Sequence, residues 1–406
     1  MKQDWGRKRL GDICGFVRGP FGGSLKKNNF KPDGYAVYEQ QHAIYDQFND
    51  IRYFIDDDKF NEMKRFELNS GDLIMSCSGT MGKIAIVPEN IKKGIINQAL
   101  LKLSPSKMVS NNFLKLWMQS ESFQDSLKEY SGGAAIQNVA SVAILKNIEI
   151  PLPPLPEQQC IVAILDKAFA TIAKAKANAE QSLKNARELF DSYLQSVLTD
   201  KKWVRKQLGD VCYKVEYGAS SKSKNDGKLP VLRMGNIQNG RFVWDSLVYS
   251  DNKEDNQQYL LKYNDVLFNR TNSPELVGKT AIYKGETPAI FAGYLIRIHR
   301  KEDLLDADYL NYYLNSAMAM EYGKTVVISS VNQANINGTK LKTYPIPLPS
   351  LTQQQAIVQK LDALDAKTKK LEAIYQQKIN DLEELKKSIL QKAFSGELNT
   401  DKDIAT

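Results

Sequence analysis

Two stretches of the chain carry apolar residues at spacings that mostly alternate between four and three. In the first, Ile161, Leu165, Ala168, Ile172, Ala175, Ala179, Leu183, Ala186, Phe190, Tyr193 and Val197 form one stripe. In the second the stripe runs through Ile357, Leu361, Leu364, Thr368, Leu371, Tyr375, Lys378, Leu382, Leu385 and Ile389, with Thr368 and Lys378 its polar members. A period near 3.5 residues over about five heptads predicts two long coiled-coil helices. Roughly 40 residues at about 1.5 Å each make a rod near 60 Å long. Pro156 suits the first helical position of the first rod, and Thr352 with Gln355 three later reads as a capping box on the second. Gly396 beyond Phe394 supplies a C-terminal stop.

Ahead of each rod the pattern shortens. Strand-like runs such as Asp72-Leu73-Ile74-Met75-Ser76, Lys83-Ile84-Ala85-Ile86-Val87, Asp265-Val266-Leu267-Phe268 and Thr280-Ala281-Ile282-Tyr283 are separated by Gly, Asn and Pro turns. Short helical patterns over 112–118 and 308–314 lie among them. Strands and helices do not alternate regularly, so an irregular α+β fold is expected rather than a doubly wound sheet. Each region closes on prolines, Pro151, Pro153, Pro154 and Pro156 in one and Pro345, Pro347 and Pro349 in the other. Proline fixes φ and restricts the residue before it, so these segments are expected to be stiff linkers into the rods.

All of this is present twice. Trp5-Gly6-Arg7-Lys8-Arg9-Leu10-Gly11-Asp12-Ile13-Cys14 returns 198 positions on as Trp203-Val204-Arg205-Lys206-Gln207-Leu208-Gly209-Asp210-Val211-Cys212. Gly82-Lys83 returns 196 positions on as Gly278-Lys279, and so does Pro151-Leu152-Pro153 as Pro347-Leu348-Pro349. A period of about 200 residues is domain-sized, since solenoid units run about 20–50 residues. The expected architecture is pseudo-twofold: a globular domain over 1–155, a long helix over 156–200, a second domain over 201–350, a second helix over 351–396 and a tail over 397–406. Matching seams joined by a globular copy are buried most simply by each other, as an antiparallel coiled coil. The alanine-rich first seam leaves open whether the pair is a plain spacer or also docks other subunits.

Composition narrows the class. With 42% hydrophobic residues over 406 positions the chain can build several real cores. The net charge of +8 favours a polyanionic partner, although over this length it is mild. Cys14, Cys77, Cys160 and Cys212 have no zinc or redox spacing and suggest reduced thiols in a cytoplasmic protein. No signal-like segment opens the sequence, and no run approaches the roughly 18 apolar residues of a membrane span.

Catalytic constellations are hard to find. Val277-Gly278-Lys279-Thr280 ends like a phosphate loop, but Ser273 stands where the first glycine is required. His42 and His299 are the only histidines, too few for a His-based triad or metal site. Cys77 lacks a convincing base and reads as a packed residue. Glu62-Met63-Lys64 after Asp56-Asp57-Asp58 vaguely resembles a nuclease constellation, yet acid-rich loops give this by chance and the second copy has no equivalent. No cofactor loop or adenine-methyltransferase segment is present, so the chain reads as a binder and scaffold with no cofactor of its own.

The duplicated order, with Trp-x-x-x-x-Leu-Gly-Asp opening each copy, resembles the S (specificity) subunit of type I restriction-modification enzymes. Pro151 to Gln159, Pro345 to Gln355 and the closing Ala393-Phe394-Ser395-Gly396-Glu397-Leu398 carry the resemblance, which spans essentially the whole chain. It implies that each globular copy is a target recognition domain reading one half of a bipartite site in double-stranded DNA. It further implies that the helices space the halves and bind two modification subunits, which carry S-adenosylmethionine and methylate adenine, and that nuclease-translocase restriction subunits join the assembly. The alternative is a coiled-coil scaffold without DNA readout, which would show no salt-dependent binding to random duplex.

Under this resemblance the candidate DNA contacts are polar loops presented by the strands. In the first copy they are Arg18, Lys26, Lys27, Asn28, Gln40, Gln41 and His42, and in the second Lys222, Lys224, Arg233, Asn236, Asn269, Arg270 and Asn272. Arg233 and Arg270 suit guanine edges, and Gln40 and Gln41 suit adenine. Gln137 and Gln333 occupy equivalent places and are expected to be structural, because specificity positions should differ between copies.

Overall fold

The computed structural model describes residues 5–21, 23–130, 142–330 and 333–398. In the first copy seven strands recur in the second: β1 (Cys14–Arg18), β2 (Tyr35–Tyr38), β3 (Tyr53–Ile55), β4 (Leu73–Ser76), β5 (Ile84–Ile86), β6 (Gly94–Ile96) and β7 (Leu100–Pro105). Their counterparts are β8 (Cys212–Tyr217), β9 (Leu229–Leu232), β10 (Val248–Ser250), β11 (Val266–Asn269), β12 (Thr280–Ile282), β13 (Ile290–Phe291) and β14 (Leu295–Arg300). The first set forms sheets in the orders β1-β7-β4-β5 and β3-β2-β6, the second β8-β14-β11-β12 and β10-β9-β13. Within these sheets, β2 with β6 and β9 with β13 run parallel.

The continuous apolar runs in β4 and β11 follow from burial on both faces. Leu73 and Met75 enter one core while Ile74 enters another, and Val266, Phe268 and Leu267 divide in the same way. The two predicted short helices are present as Asn111–Gln119 and Ala307–Leu314, and cover the larger cores with Phe113, Leu114 and Trp117 and with Leu310, Tyr313 and Leu314. The second copy adds a hairpin, Ile237–Gln238 with Arg241–Phe242, whose Asn239-Gly240 turn has both residues at positive φ.

The proline segments are more than linkers. Glu149–Pro151 pairs antiparallel with Arg7–Arg9, and Pro345–Leu348 with Val204–Gln207. Each pair is an isolated two-stranded ribbon, so a proline lacking an N–H can occupy a free edge without breaking a ladder. The tryptophans that open each copy bond to the first long helix, Trp5 Nε1 to Glu157 Oε1 at 3.2 Å and Trp203 Nε1 to the Val197 carbonyl at 3.0 Å.

The long helices are α1 (Leu155–Leu198) and α2 (Leu351–Phe394). The chain divides into two units inside them: Met1–Ala179 with Gln377–Thr406, and Glu180–Gln376. The division cuts the helices because their ends are core material. In the first unit Ile161, Val162 and Leu165 of α1 join Leu390 and Ala393 of α2 in the main cluster. In the second unit Leu194 and Leu198 join Val358 and Leu361. The antiparallel sense is visible in the first unit, where Lys386 lies over the Phe169 ring and Lys176 bonds Glu383 at 2.5 Å. In the second, Arg187 bonds Glu372 at 2.7 Å.

The stripe of α1 is buried or half-buried throughout, as its period predicts. That of α2 departs: Leu371, Lys378 and Leu385 face solvent while Ile379 is buried. The line through buried Val358, Leu361, Thr368 and Ile379 and half-buried Leu382 keeps the heptad but takes the neighbouring residue at alternate positions, which removes Lys378 from the seam. The capping box also moves. Ser350, not Thr352, caps α2, with Gln353 Oε1 accepting from the Ser350 backbone N–H at 3.0 Å and from its hydroxyl at 2.9 Å. Leu155 takes the first helical position, with Pro156 next in the same turn, and Gly396 at φ 74° ends α2. No helix among the described residues is long and apolar enough to cross a membrane.

One glutamine in each copy locks helix to domain. Gln158 is fully buried; its Oε1 accepts from Ser110 N–H at 2.8 Å, and its Nε2 donates to the carbonyls of Met108 and Pro153 at 3.1 and 2.8 Å. Gln354, also fully buried, makes the equivalent three bonds to Asp306 N–H, Leu304 and Pro349 at 2.8, 2.8 and 2.9 Å.

Candidate nucleic-acid interface

In each copy the two sheets converge at one end, and loops from several strands meet there. In the first unit Gly19, following β1, donates to the Leu100 carbonyl at 2.9 Å, Asn97 N–H reaches the Tyr38 carbonyl at 2.9 Å and Cys77 N–H reaches Ala99 at 2.8 Å. A Cβ at Gly19 would lie 1.8 Å from the Asn97 carbonyl oxygen, so only glycine permits this approach. The second unit repeats the knot: Gly218 donates to Leu295, Ala292 to Leu232 and Arg270 to Tyr294, at 3.3, 2.9 and 3.1 Å. A Cβ at Gly218 would lie 2.3 Å from the Phe291 oxygen.

Several expected contacts lie at these convergences. Arg18 ends β1 beside Cys77, and Lys26, Lys27 and Asn28 are exposed on the following loop. Neither lysine makes an ion pair among the described residues, and Phe21, earlier in the sequence, is 91% exposed. In the second unit Arg270 is held by its Nε bond to the Gly293 carbonyl at 2.9 Å and by stacking 5.0 Å from the Tyr217 ring centroid. The Tyr217 hydroxyl in turn accepts from Gly338 N–H at 2.8 Å. The ring restricts the guanidinium to one plane and leaves donors unused, which suits bidentate recognition of a base edge or phosphate.

The domains place this charge differently. By strand register Tyr217 corresponds to Arg18, since they face Ile296 and Leu101. Arg270, which follows β11, corresponds to Cys77, which follows β4. A guanidinium thus comes from the first strand in one copy and from the central strand in the other.

Other candidates have internal work. His42 is fully buried; its Nδ1 accepts from Glu39 N–H at 2.9 Å, leaving Nε2 to donate to the Asp50 carbonyl at 3.0 Å. Asn236 does the same at the equivalent turn: its Oδ1 accepts from Arg233 N–H at 2.9 Å and its Nδ2 ties the carbonyls of Val243 and Asp245. Asn269 is fully buried with Nδ2 on the Leu276 carbonyl, and its Oδ1 is unpartnered. All three are buried, with side-chain donors spent on loop carbonyls. Asn272 is half-buried and its Oδ1 accepts from Ser273 N–H at 2.9 Å. Gln41 donates to the Asp50 carbonyl at 3.2 Å, whereas half-buried Gln40 has a buried Oε1 without a partner. Lys222 is exposed without an ion pair among the described residues, Lys224 pairs with Asp251 at 3.0 Å, and Arg233 donates to the Ser246 carbonyl at 2.9 Å. Gln333 lies exposed in a short strand, Gln333–Asn335; Gln137 falls outside the described residues.

The apparent catalytic groups are accounted for. Asp56 caps the helix Asp57–Glu62 through Lys59 N–H and pairs with Lys31, while Glu62 pairs with Lys59. Burial pushes the Cys77 thiol up to about 12, with Arg18 opposing the rise, and the Cys14 thiol to about 12 as well. These are packed thiols with little thiolate character.

Two copies of one fold, each presenting cations over a glycine-pinned strand knot, define a duplicated binding protein. The chain belongs to the type I restriction modification DNA specificity domain family, whose model matches residues 2–185 and 200–384, and is thus a specificity subunit and not a catalyst. It is 28% identical over 314 residues to the StySPI specificity subunit of Salmonella potsdam, covering 73% of this chain and 67% of that one. It is 24% identical over 425 residues to the MjaVIII specificity subunit of Methanocaldococcus jannaschii, covering 98% and 94%. The HsdS subunit from Thermoanaerobacter tengcongensis shares the fold at TM-score 0.62 with 20% identity, covering 97% of each chain. A chain from a structure of type I restriction-modification complex assembly shares it at 0.77 with 19% identity, covering 97% and 98%.

Proposed function

We propose that each unit reads one half of a bipartite site in double-stranded DNA, within a type I restriction-modification complex in the cytoplasm. The two long helices act as spacer and as docking surface for two adenine methyltransferase subunits, which supply S-adenosylmethionine, and restriction subunits complete the assembly. The observation that carries this reading is the recurrence of one strand knot with different charged groups on it. A scaffold evolving only for assembly has no reason to diversify that end of both domains while keeping the proline ribbons and buried glutamines alike.

Within this reading Arg270 and Arg233 are guanine readers, Arg18 is the corresponding cation of the first unit, and Lys26, Lys27 and Lys222 contact phosphate. Gln40 and Gln41 are the adenine readers, and Lys224 and Asn272 support their loops. His42, Asn236 and Asn269 position the readers.

Copurification with the methyltransferase subunits, followed by sequencing of methylated bases, tests the proposal. A bipartite adenine-methylated motif is expected, and a chain that assembles with no methyltransferase refutes it. Arg270→Ala should cost about 5- to 150-fold in discrimination at one base pair of one half-site. By contrast, Lys26→Ala with Lys27→Ala should weaken all sequences alike and reduce the salt slope by about one per lost phosphate contact. An unchanged motif in Arg270→Ala would remove that residue from the interface.

A further inference from the structure

Superposing the copies by hydrogen-bond register places a carboxylate opposite a guanidinium. Tyr38, the last residue of β2, pairs with Ile96, and Leu232, the last residue of β9, pairs with Phe291. The next residues are therefore equivalent: Glu39 in the first unit and Arg233 in the second. The backbone of each is fixed in the same way, with its N–H donated at 2.9 Å to the side chain three residues on, His42 or Asn236. Both backbones are extended, with φ and ψ of −114° and 170° at Glu39 and −122° and 175° at Arg233. One socket thus holds side chains of opposite charge.

Glu39 is half-buried and pairs with no Lys or Arg among the described residues. Burial raises its carboxyl above the ordinary range, with Arg52 and His42 opposing the rise and Asp50 adding to it. The Tyr38 carbonyl that precedes it receives the Asn97 N–H, on the segment that also receives Gly19 and Cys77. Glu39 accordingly leaves the strand at the knot, directly after the residue that bonds it. A partly desolvated carboxylate facing a polyanion is unfavourable unless a donor meets it. In the major groove the cytosine amino group is the donor suited to Glu, as guanine O6 and N7 are the acceptors suited to Arg.

We propose that Glu39 and Arg233 are matched specificity positions, Glu39 accepting a hydrogen bond from the amino group of a cytosine in the half-site read by the first unit. This rests on the DNA-reading function proposed above. It also assigns Glu39 a negative role: where cytosine is absent, the unsatisfied carboxylate repels the duplex and rejects the sequence.

Glu39→Gln in the complex with its methyltransferase subunits separates this role from a structural one. Methylated-base sequencing should show preference for cytosine at one position of one half-site falling about 5- to 150-fold, with the other half unchanged. Binding to a random-sequence duplex should become tighter, because one repulsive charge is gone. Arg233→Gln should alter only the other half. If the wild-type complex yields a bipartite motif and Glu39→Gln leaves it intact, the inference fails while the general function stands. If no wild-type motif appears, both fail. A motif loosened in both halves together with a lowered melting temperature shows that Glu39 serves the fold, and also overturns the proposal.

Discussion

Gln158→Leu is expected to destabilise the first unit by about 3 kcal/mol, and Gln354→Leu the second by a similar amount. Leucine fills the space but strands one N–H and two carbonyls at a fully buried position, and an unpaired buried group costs about 1–3 kcal/mol. The sum is less than additive, because the strand end and helix start can relax together. Glutamate should be worse than leucine: it keeps the bond from Ser110 N–H but turns a carboxylate oxygen toward the Met108 and Pro153 carbonyls. Chemical denaturation of the three proteins checks the order wild type, leucine, glutamate. The lock is disproved if leucine matches wild type.

The Gln-rich start of each long helix was legible in the sequence, but its purpose was not, since Gln158 bonds residues 48 and 50 positions away. Periodicity exposes a helix and its buried stripe; it cannot show which residues of another element lie across from it. The stripe of α2 shows the same limit. Leu371 and Leu385 satisfy a 3.5-residue period as well as their neighbours do, and only packing decides that Ile379 turns inward and Lys378 outward. Two strong local patterns, the strands at 73–76 and 266–269 and the helices at 111–119 and 307–314, needed no such information.

At the interface the obstacle was register. The copies align at shifts of 198 and 196 where motifs match, and a shift of 196 sets Glu39 against Gly235 and Cys77 against Ser273. Loop lengths differ between those motifs, so the strand-based shifts are 194 at Glu39 and 193 at Cys77, pairing them with Arg233 and Arg270. His42 and Asn236 illustrate the converse. Both sit in polar segments and so read as candidate contacts, yet each supplies the acceptor that caps the same turn. Identity of role survived while identity of residue did not.

Arg297→Met is expected to destabilise the second unit by about 3–5 kcal/mol, the usual cost of breaking a buried ion pair from one side. Arg297 is 5% exposed and bonds Glu216 at 2.7 Å, Asp265 at 2.9 Å and the carbonyls of Leu260 and Gln258. Its loss strips the guanidinium from both carboxylates, leaving half-buried His299 at 2.9 Å and exposed Lys214 at 3.3 Å on Glu216. The first unit shows that the fold does not require this network. Lys102 stands where Arg297 does, opposite Val17 instead of Glu216, and bonds the Glu67 carbonyl at 2.6 Å. Adding Glu216→Val to Arg297→Lys should therefore recover stability that Arg297→Lys alone loses, and a double-mutant cycle measures that coupling. Acid provides an independent check. Burial pushes the Glu216 carboxyl up, but bonds from His299 and Arg297 outweigh it and hold the group at about 2 against an ordinary 4.5. A depressed carboxyl contributes stability above its unfolded value and loses it as pH falls toward the folded one. Wild type should therefore lose stability between about pH 4.5 and 2 more steeply than Glu216→Gln. Parallel pH profiles for the two proteins would show that the carboxylate is not held by this network.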